Sequence, residues 1–253
     1  MIENIQIALR ALTANKLRSA LTMLGIIIGV AAVVALMSIG NGASEIITSQ
    51  VEGIGSNLIQ VIPGRVFDSS NTSGAVTSRL YYGDFLALDA NRANMAGIAP
   101  SYQSAQTIRY SDQSFIMSVT GATEEFLEVR AYKVARGRFI NVTDRNSEAR
   151  VVVLGSQTAQ DLYGGLNPVG RKLKIGGLTF EVIGVLEAKG SSGFGSANDI
   201  LLLPLETGYG KLFGAAATGG GDYLINSLSI SADSPETVDT VMAQVERILR
   251  RQH

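Results

Sequence analysis

Gly165-Leu166-Asn167-Pro168-Val169-Gly170-Arg171-Lys172 is the stretch that comes nearest to a chemical signature, echoing the G-x-x-x-x-G-K-[ST] cradle whose backbone N–H groups hold phosphates ahead of a helix. Arg171 stands where the lysine belongs and Lys172 where the magnesium-binding hydroxyl belongs. The residues that follow read as a hairpin, so no helix N-terminus faces the phosphates and the cradle does not form. Metal and nucleophile chemistry need histidine or cysteine, and the chain has no Cys and a single His at its end, His253. This rules out cysteine zinc sites, a Ser-His-Asp arrangement and H-E-x-x-H. The carboxylates Glu124, Glu125 and Asp144 lack a partner pattern and read as solvated surface or helix caps. Arg136, Arg138, Arg145 and Arg150 are too dispersed for a nucleic-acid groove and read as solvated strand edges. Net charge is −1, so no global field draws nucleic acid. No cofactor is expected, catalysis is disfavoured, and mechanical, binding or transport work remains.

The elements behind this are clearest at the N-terminus. Between Arg18 and Glu45 lie 26 residues without a charge, and Leu21 to Ile39 is almost wholly apolar. A helix needs about 20 such residues to cross a bilayer. Hydrophobic residues make up 46% of the 253-residue chain against 17% charged, with a mean hydropathy of +0.21, which fits membrane association. Arg10, Lys16 and Arg18 lie on the N-terminal flank and Glu45 is the first charge beyond. The positive-inside rule therefore predicts a cytoplasmic N-terminus and an extracytoplasmic body from residue 45 onward. A cleavable signal peptide is the rival reading. Its apolar core is usually shorter, about 7 to 15 residues. The preceding segment is also patterned, with Ile2, Ile5, Leu9 and Leu12 at helical spacing. That predicts an amphipathic helix on the cytoplasmic membrane face, so lipid is an expected partner. Within the span Gly25 and Gly29 form a G-x-x-x-G pair, followed by Ala31 and Ala35 at the same spacing. Two readings stand: a surface that admits another helix, or the ordinary frequency of small residues in membrane helices.

Beyond the span the helix is expected to continue through Ile46, Ile47 and Val51 until Gly53 and Gly55 stop it, as a rigid stalk. Asn57 to Ile62 reads as a strand ended by Pro63-Gly64, residues 65–78 as a mobile polar loop, and Tyr82 to Ala90 as a short helix. Strands are expected from Gly97 to about Thr120 around a Ser111-Asp112 turn. Gly121 to Gly137 should hold a short helix and a strand. Next come a strand Val151 to Leu154, a helix near Ser156 to Leu162, and a hairpin turning at Gly176-Gly177. Lys189 to Asn198 reads as flexible, Ile200 to Leu203 as a buried strand and Pro204 as the start of a short helix. Gly214 to Gly221 is expected to be a Gly/Ala loop and Tyr223 to Ser231 one strand. Ser234-Pro235 opens a final helix with Val238, Met242, Val245 and Leu249 as its apolar stripe. The expected fold class is α+β: one N-terminal transmembrane helix followed by a two-lobed mixed α/β extracytoplasmic domain.

Glu3-Asn4-Ile5, Ala8-Leu9-Arg10-Ala11-Leu12, Asn15-Lys16-Leu17-Arg18-Ser19 and Leu21-Thr22-Met23-Leu24-Gly25-Ile26-Ile27-Ile28-Gly29 together resemble the start of MacB-type ABC transporter permeases. Gly55-Ser56-Asn57-Leu58-Ile59 to Pro63-Gly64 looks like the motif of that family just beyond the first span. Gly137-Arg138-Phe139, Val153-Leu154-Gly155 and Asn167-Pro168-Val169-Gly170 follow in the order of the family's periplasmic core domain. The resemblance implies the N-terminal portion of an exporter permease in the cell (inner) membrane, working by mechanotransmission. It implies a cytoplasmic ABC ATPase partner that hydrolyses the ATP, a homodimer or heterodimer of permeases, and a periplasmic adaptor protein. It also implies a domain plan: 1–18 cytoplasmic amphipathic helix, 19–44 transmembrane helix, 45–118 and 222–253 porter-like lobe with stalk, 119–221 smaller inserted lobe. Family members continue into three further membrane helices of the FtsX-like half, towards which the last helix would lead. The alternative is a single-span extracytoplasmic binding or adaptor module without transport activity.

Overall fold

The computed structural model describes residues 16–54, 57–66, 76–77, 79–111, 113–189 and 198–252. The uncharged N-terminal run lies in one unbroken helix, α1 (Lys16–Ile54), which includes Gly53, while Gly55 lies outside the described residues. The portion Lys16–Gly40 is long and apolar enough to cross a membrane, and none of its apolar window is buried. Leu21, Ile26, Ile27, Leu36 and Ile39 are all exposed. Such a surface needs lipid or other helices around it. Of the amphipathic helix expected over residues 1–18, residues 1–15, Arg10 among them, lie outside the described residues, and 16–18 form the first turn of α1.

Residues from Gln50 to His253 form a separate compact unit, rich in sheet. Its elements in chain order are β1 (Leu58–Val61), β2 (Arg65–Val66), β3 (Val76–Thr77), β4 (Leu80–Tyr81), α2 (Tyr82–Asp89), β5 (Met95–Tyr110), β6 (Gln113–Ala122), α3 (Phe126–Val129) and β7 (Val134–Gly137). There follow α4 (Val142–Asn146), β8 (Val151–Leu154), α5 (Ser156–Tyr163), β9 (Lys172–Ile175), β10 (Leu178–Leu186), β11 (Leu201–Pro204) and α6 (Leu205–Lys211). The chain closes with β12 (Thr218–Gly219), β13 (Asp222–Ile225), β14 (Ser227–Ala232) and α7 (Val238–Gln252). The main sheet runs β1-β14-β5-β6-β11-β8-β10-β7, with β9 bridging β10 and β5.

Strand β5 is 16 residues long and serves two neighbourhoods. Its first half pairs antiparallel with β14, from Gly97 opposite Ser231 to Ser101 opposite Ser227. Its second half pairs with β6 out to the turn at Ser111, and Ile108 also meets Ile175 of β9. That last pairing closes β5, β6, β11, β8, β10 and β9 into a ring. Ile108, Val119, Val152, Leu154, Leu173, Ile175, Phe180, Val182, Leu201 and Leu203, drawn from all six strands, form one buried cluster. The alternate residues Val153, Ile183 and Leu202 face the other way, against Phe126, Val129, Tyr132 and Ile140. Period-2 alternation thus feeds two cores from one sheet. A third cluster sits where α2 and α7 cover β1, β14 and the start of β5: Phe85, Leu88, Met95, Ile98, Leu228, Ile230, Val241 and Val245.

Several sequence expectations need correction. The 65–78 loop is not wholly irregular: β2 and β3 pair at its ends, Arg65 with Thr77 and Val66 with Val76, while 67–75 and 78 lie outside the described residues. Tyr223 to Ser231 is two strands broken at Asn226, because β13 pairs β4 whereas β14 pairs β5 and β1. Residues 214–221 carry a 3₁₀ turn at Gly214–Ala217 and the short β12. The last helix starts with a 3₁₀ turn at Pro235–Thr237, and its buried side is Val241 and Val245 with Val238, Ile248 and Leu249 beside them. Met242 is 46% exposed. Its side chain sits about 100° round the helix from Val241, the residue that meets the sheet. The Lys189 to Asn198 loop lies outside the described residues over 190–197.

Val241→Ala should therefore destabilise the body by about 2 kcal/mol, through lost burial and the cavity left behind. Met242→Ala should change it by less than about 0.5 kcal/mol. Urea unfolding of the full chain in detergent, followed by tyrosine fluorescence, checks the contrast.

Candidate binding cleft and ion-pair junction

Most residues singled out from the sequence stand apart in the structure. Gly25 and Gly29 are on α1, and a methyl added at either meets nothing within 4 Å. Ala31 and Ala35 are exposed on the same helix. At about 100° per residue the alanine pair lies roughly 120° round from the glycine pair. The four residues thus form two short small-residue faces, not one stripe. Lys16 and Arg18 are exposed in the first turn of α1. Of the motif beyond the span, Gly55 and Ser56 lie outside the described residues. Asn57 clips β1 to the end of β14: its side-chain amide donates to the Ala232 carbonyl and to Ser231 Oγ (3.2 Å), and its own carbonyl accepts from Ala232 N–H (2.9 Å). Leu58 is half-buried, Pro63 half-buried and Gly64 exposed. The Gly165–Lys172 stretch runs into β9 and not a helix, with Arg171 donating from Nε to the Asn167 carbonyl (3.0 Å).

The residues that do converge were read as dispersed. Arg145, on α4, is only 18% exposed. Its Nη1 donates to Glu124 Oε2 (2.6 Å), while Nη2 and Nε donate to Glu206 (2.6 and 3.0 Å to Oε1). The guanidinium fork thus ties the end of β6 to α6. Burial would lower the Arg145 pKa, but the hydrogen bonds it donates to Glu206 and Glu124 outweigh this, so the group is held charged more firmly than an ordinary arginine. Next to it Asp144 closes a capping box with Asn141: Asn141 N–H donates to Asp144 Oδ2 (3.0 Å) and Asp144 N–H to Asn141 Oδ1 (2.9 Å). Arg138 also donates to Asp144 through both terminal nitrogens. This contact, followed by the Asn141 backbone bond, pulls the Asp144 pKa below the usual carboxylate value against burial. The expectation of solvated strand edges holds for Arg138, exposed just after β7, and is overturned for Arg145, whose partners lie 21 and 61 residues away, beyond any local pattern.

Beside the junction opens a cavity of about 300 Å³ lined by Tyr82, Glu148, Glu206, Tyr209, Gly210 and Tyr223. Tyr209 stacks on Tyr223 with ring centroids 4.2 Å apart and donates its hydroxyl to the Leu224 carbonyl (2.7 Å). Burial raises the Tyr209 pKa far above that of free tyrosine, and burial likewise raises that of Tyr82. Both phenols are neutral at any physiological pH. Glu148 adopts a left-handed backbone (φ 46) and its carboxylate pairs with Lys211 Nζ at 2.9 Å. It lies over Gly210, where an added methyl would come within 3.0 Å of Glu148 Oε2. Gly208 is tighter still: a methyl there would meet the Phe213 ring at 2.1 Å. Asp222 holds the entry to α2 by accepting from Gly83 N–H (3.0 Å). The sequence offered one cue, the repeated glycines of Thr207-Gly208-Tyr209-Gly210, which admit close approach at the price of helix propensity.

Arg145→Ala should leave two carboxylates facing each other unpaired and cost about 3 kcal/mol. Arg145→Lys should recover only part of this, since an ammonium lacks the fork. Asp144→Asn should cost about 1 kcal/mol near neutral pH, through a weaker bond from Asn141 N–H and the loss of the ion pair with Arg138, which is half exposed and so contributes modestly. A depressed folded-state pKa gives stability that is present above the ordinary carboxylate pKa and lost as pH falls through the folded one. The gap between Asp144→Asn and the parent should accordingly narrow and close as the pH falls below the ordinary carboxylate range. Denaturation midpoints across a pH series check both.

Comparison with known proteins gives a consistent set of relatives. Residues 19–248 match the MacB-like periplasmic core domain family. The macrolide export ATP-binding/permease protein MacB of Rhodospirillum rubrum is 35% identical over 99% of this chain, and that of Bdellovibrio bacteriovorus 32% identical over 100%. The chain spans 37% and 38% of the length of those two proteins. Among solved structures, the periplasmic region of MacB from Actinobacillus actinomycetemcomitans superposes with a TM-score of 0.64 at 20% identity, covering 80% of this chain and 87% of that one. The extracellular domain of the noncanonic ABC-type transporter YknZ from Gram-positive bacteria gives 0.59 at 19% identity, covering 78% and 95%. These two likenesses establish the shared fold.

Proposed function

Because the chain belongs to the MacB-like periplasmic core domain family, we propose that it is the N-terminal portion of an ABC-exporter permease. Its span and body act as the transmitting and receiving parts of a machine driven by ATP. The observation that carries this reading is α1, a single helix from Lys16 to Ile54 that begins with an exposed apolar span and continues past it without a break. A continuous helix of 39 residues is about 58 Å long. It passes an axial or rotational displacement along its length more faithfully than a jointed connection does. The family match over residues 19–248, and relatives whose names join ATP binding to permease, support the export role.

In this reading ATP hydrolysis belongs to a cytoplasmic ABC ATPase partner, and the Gly25 and Gly29 face packs against a helix of a second permease copy or of further spans. Arg10, Lys16 and Arg18 hold the N-terminus on the cytoplasmic side of the cell membrane, and the body projects outward to meet a periplasmic adaptor. The porter-like lobe comprises 45–118 and 222–253 and the inserted lobe 119–221. The separate cluster built from residues such as Leu88, Ile98, Leu228 and Val241, all within 45–118 and 222–253, supports such a division. A ligand-binding module without transport is the second reading, favoured by the tyrosine-lined cavity.

The absence of native cysteine makes orientation directly testable. A membrane-impermeant maleimide added to intact spheroplasts should label Gln157→Cys and spare Lys16→Cys until the membrane is opened. Labelling of Lys16→Cys in intact spheroplasts would reverse the topology. Co-purification with an ATP-binding subunit, and stimulation of its hydrolysis by the chain, separate the permease reading from the binding module, which requires neither.

A further inference from the structure

We infer that the cavity between α2, α6 and β13 is a binding site for a small organic cation, of the alkylammonium class with an apolar body. Three features of the wall carry this. Its apolar surface is aromatic, with Tyr82, Tyr209 and Tyr223 around one opening, and the faces of such rings attract cations. Its charged surface is acidic in excess: Glu148 and Glu206 line it, and Glu124 and Asp222 stand just behind. Arg145 and Lys211 oppose these four. Both are already committed, Arg145 to Glu124 and Glu206 and Lys211 to Glu148, and no Lys or Arg is among the described residues that line the cavity. Glu148 is the carboxylate best placed to serve a guest, since its side chain is about half exposed and has one ionic partner.

Rival occupants fit less well. Among the described residues no three His, Cys, Asp or Glu side chains converge as ligands for a metal ion. A purely apolar guest would leave the acidic rim desolvated without recompense. An ammonium carrying methyl groups satisfies both surfaces at once: its charge lies among the carboxylates and its methyls lie on the ring faces. Tyr223, 44% exposed, forms the outer wall across which such a ligand enters. The site belongs to the folded body alone and needs no ATPase, so its test and the test of the export reading fail independently.

The experiment compares choline with 3,3-dimethylbutan-1-ol, its uncharged carbon isostere, by saturation-transfer NMR and calorimetric titration on the full chain in detergent. Choline should bind at least tenfold more tightly than the alcohol, consistent with about 1.4 kcal/mol or more of charge-dependent attraction. Tyr223→Ala and Glu148→Gln should each weaken choline by about fivefold to tenfold, whereas Tyr223→Phe should retain it because the ring face remains. Melting temperatures of the variants separate lost binding from lost folding, and the exposed Tyr223 pair keeps the test valid if Glu148→Gln unfolds. Equal binding of choline and the alcohol, no binding of choline, or loss of binding in Tyr223→Phe would each overturn the assignment.

Discussion

The ring core and the core beneath α2 and α7 share one sheet because one strand, β5, is long enough to be paired in both. Its first half lies between β14 and the end of β6, its second between the rest of β6 and β9. Take away the β5–β9 pairing and the six-stranded ring opens along one edge, exposing Ile108 and Ile175, both fully buried. Take away the β14 pairing and the α2 and α7 layer has no sheet to cover. The backbone ladder of β5 thus sets the positions from which every other contact of the body is measured, including the separation of α2 from α6 and so the width of the tyrosine cleft.

Electrostatics refine what the ladder frames. Arg145 unites groups that lie 21 and 61 residues away in sequence, and it does so partly buried, where a mispaired charge is expensive. The junction therefore specifies more than it stabilises: it accepts one relative placement of β6, α4 and α6 and penalises the others. Asn57 has a similar role at the opposite end of the sheet. There a single amide holds β1 against the end of β14 and fixes where the strand begins after the helix.

Local elements were legible in the sequence where the signal was local. The uncharged run became α1, Gly176-Gly177 became the β9–β10 turn with both glycines at positive φ, and Pro204 preceded α6. Misreadings arose where tertiary pairing decides. Tyr223 to Ser231 alternates as one strand would, yet Asn226 breaks it because its halves pair with different partners. Met242 fits a helical stripe as well as Val241 does, and only the position of the sheet selects between them. The cleft was invisible for the same reason. Tyr82, Glu148, Glu206, Tyr209 and Tyr223 span more than half the chain, and no spacing rule joins residues brought together by a closed ring. Conversely, the four small residues of the span look like one pattern in the sequence but are two faces once wound on a helix.

The two glycines of α6 carry a further consequence. A seven-residue helix with Gly208 and Gly210 in its interior has almost no intrinsic tendency to form, each glycine weakening it by about 1 kcal/mol relative to alanine. It is helical because Phe213 and Glu148 press into the spaces those glycines leave. Such an element melts before the sheet that supports it, and hydrogen exchange at its amides registers this as early loss of protection beside durable protection along β5. The floor of the cleft is thus the most readily reshaped ordered surface around it, and a guest gripping Glu206 and Tyr209 would tighten a helix that the sequence alone leaves loose.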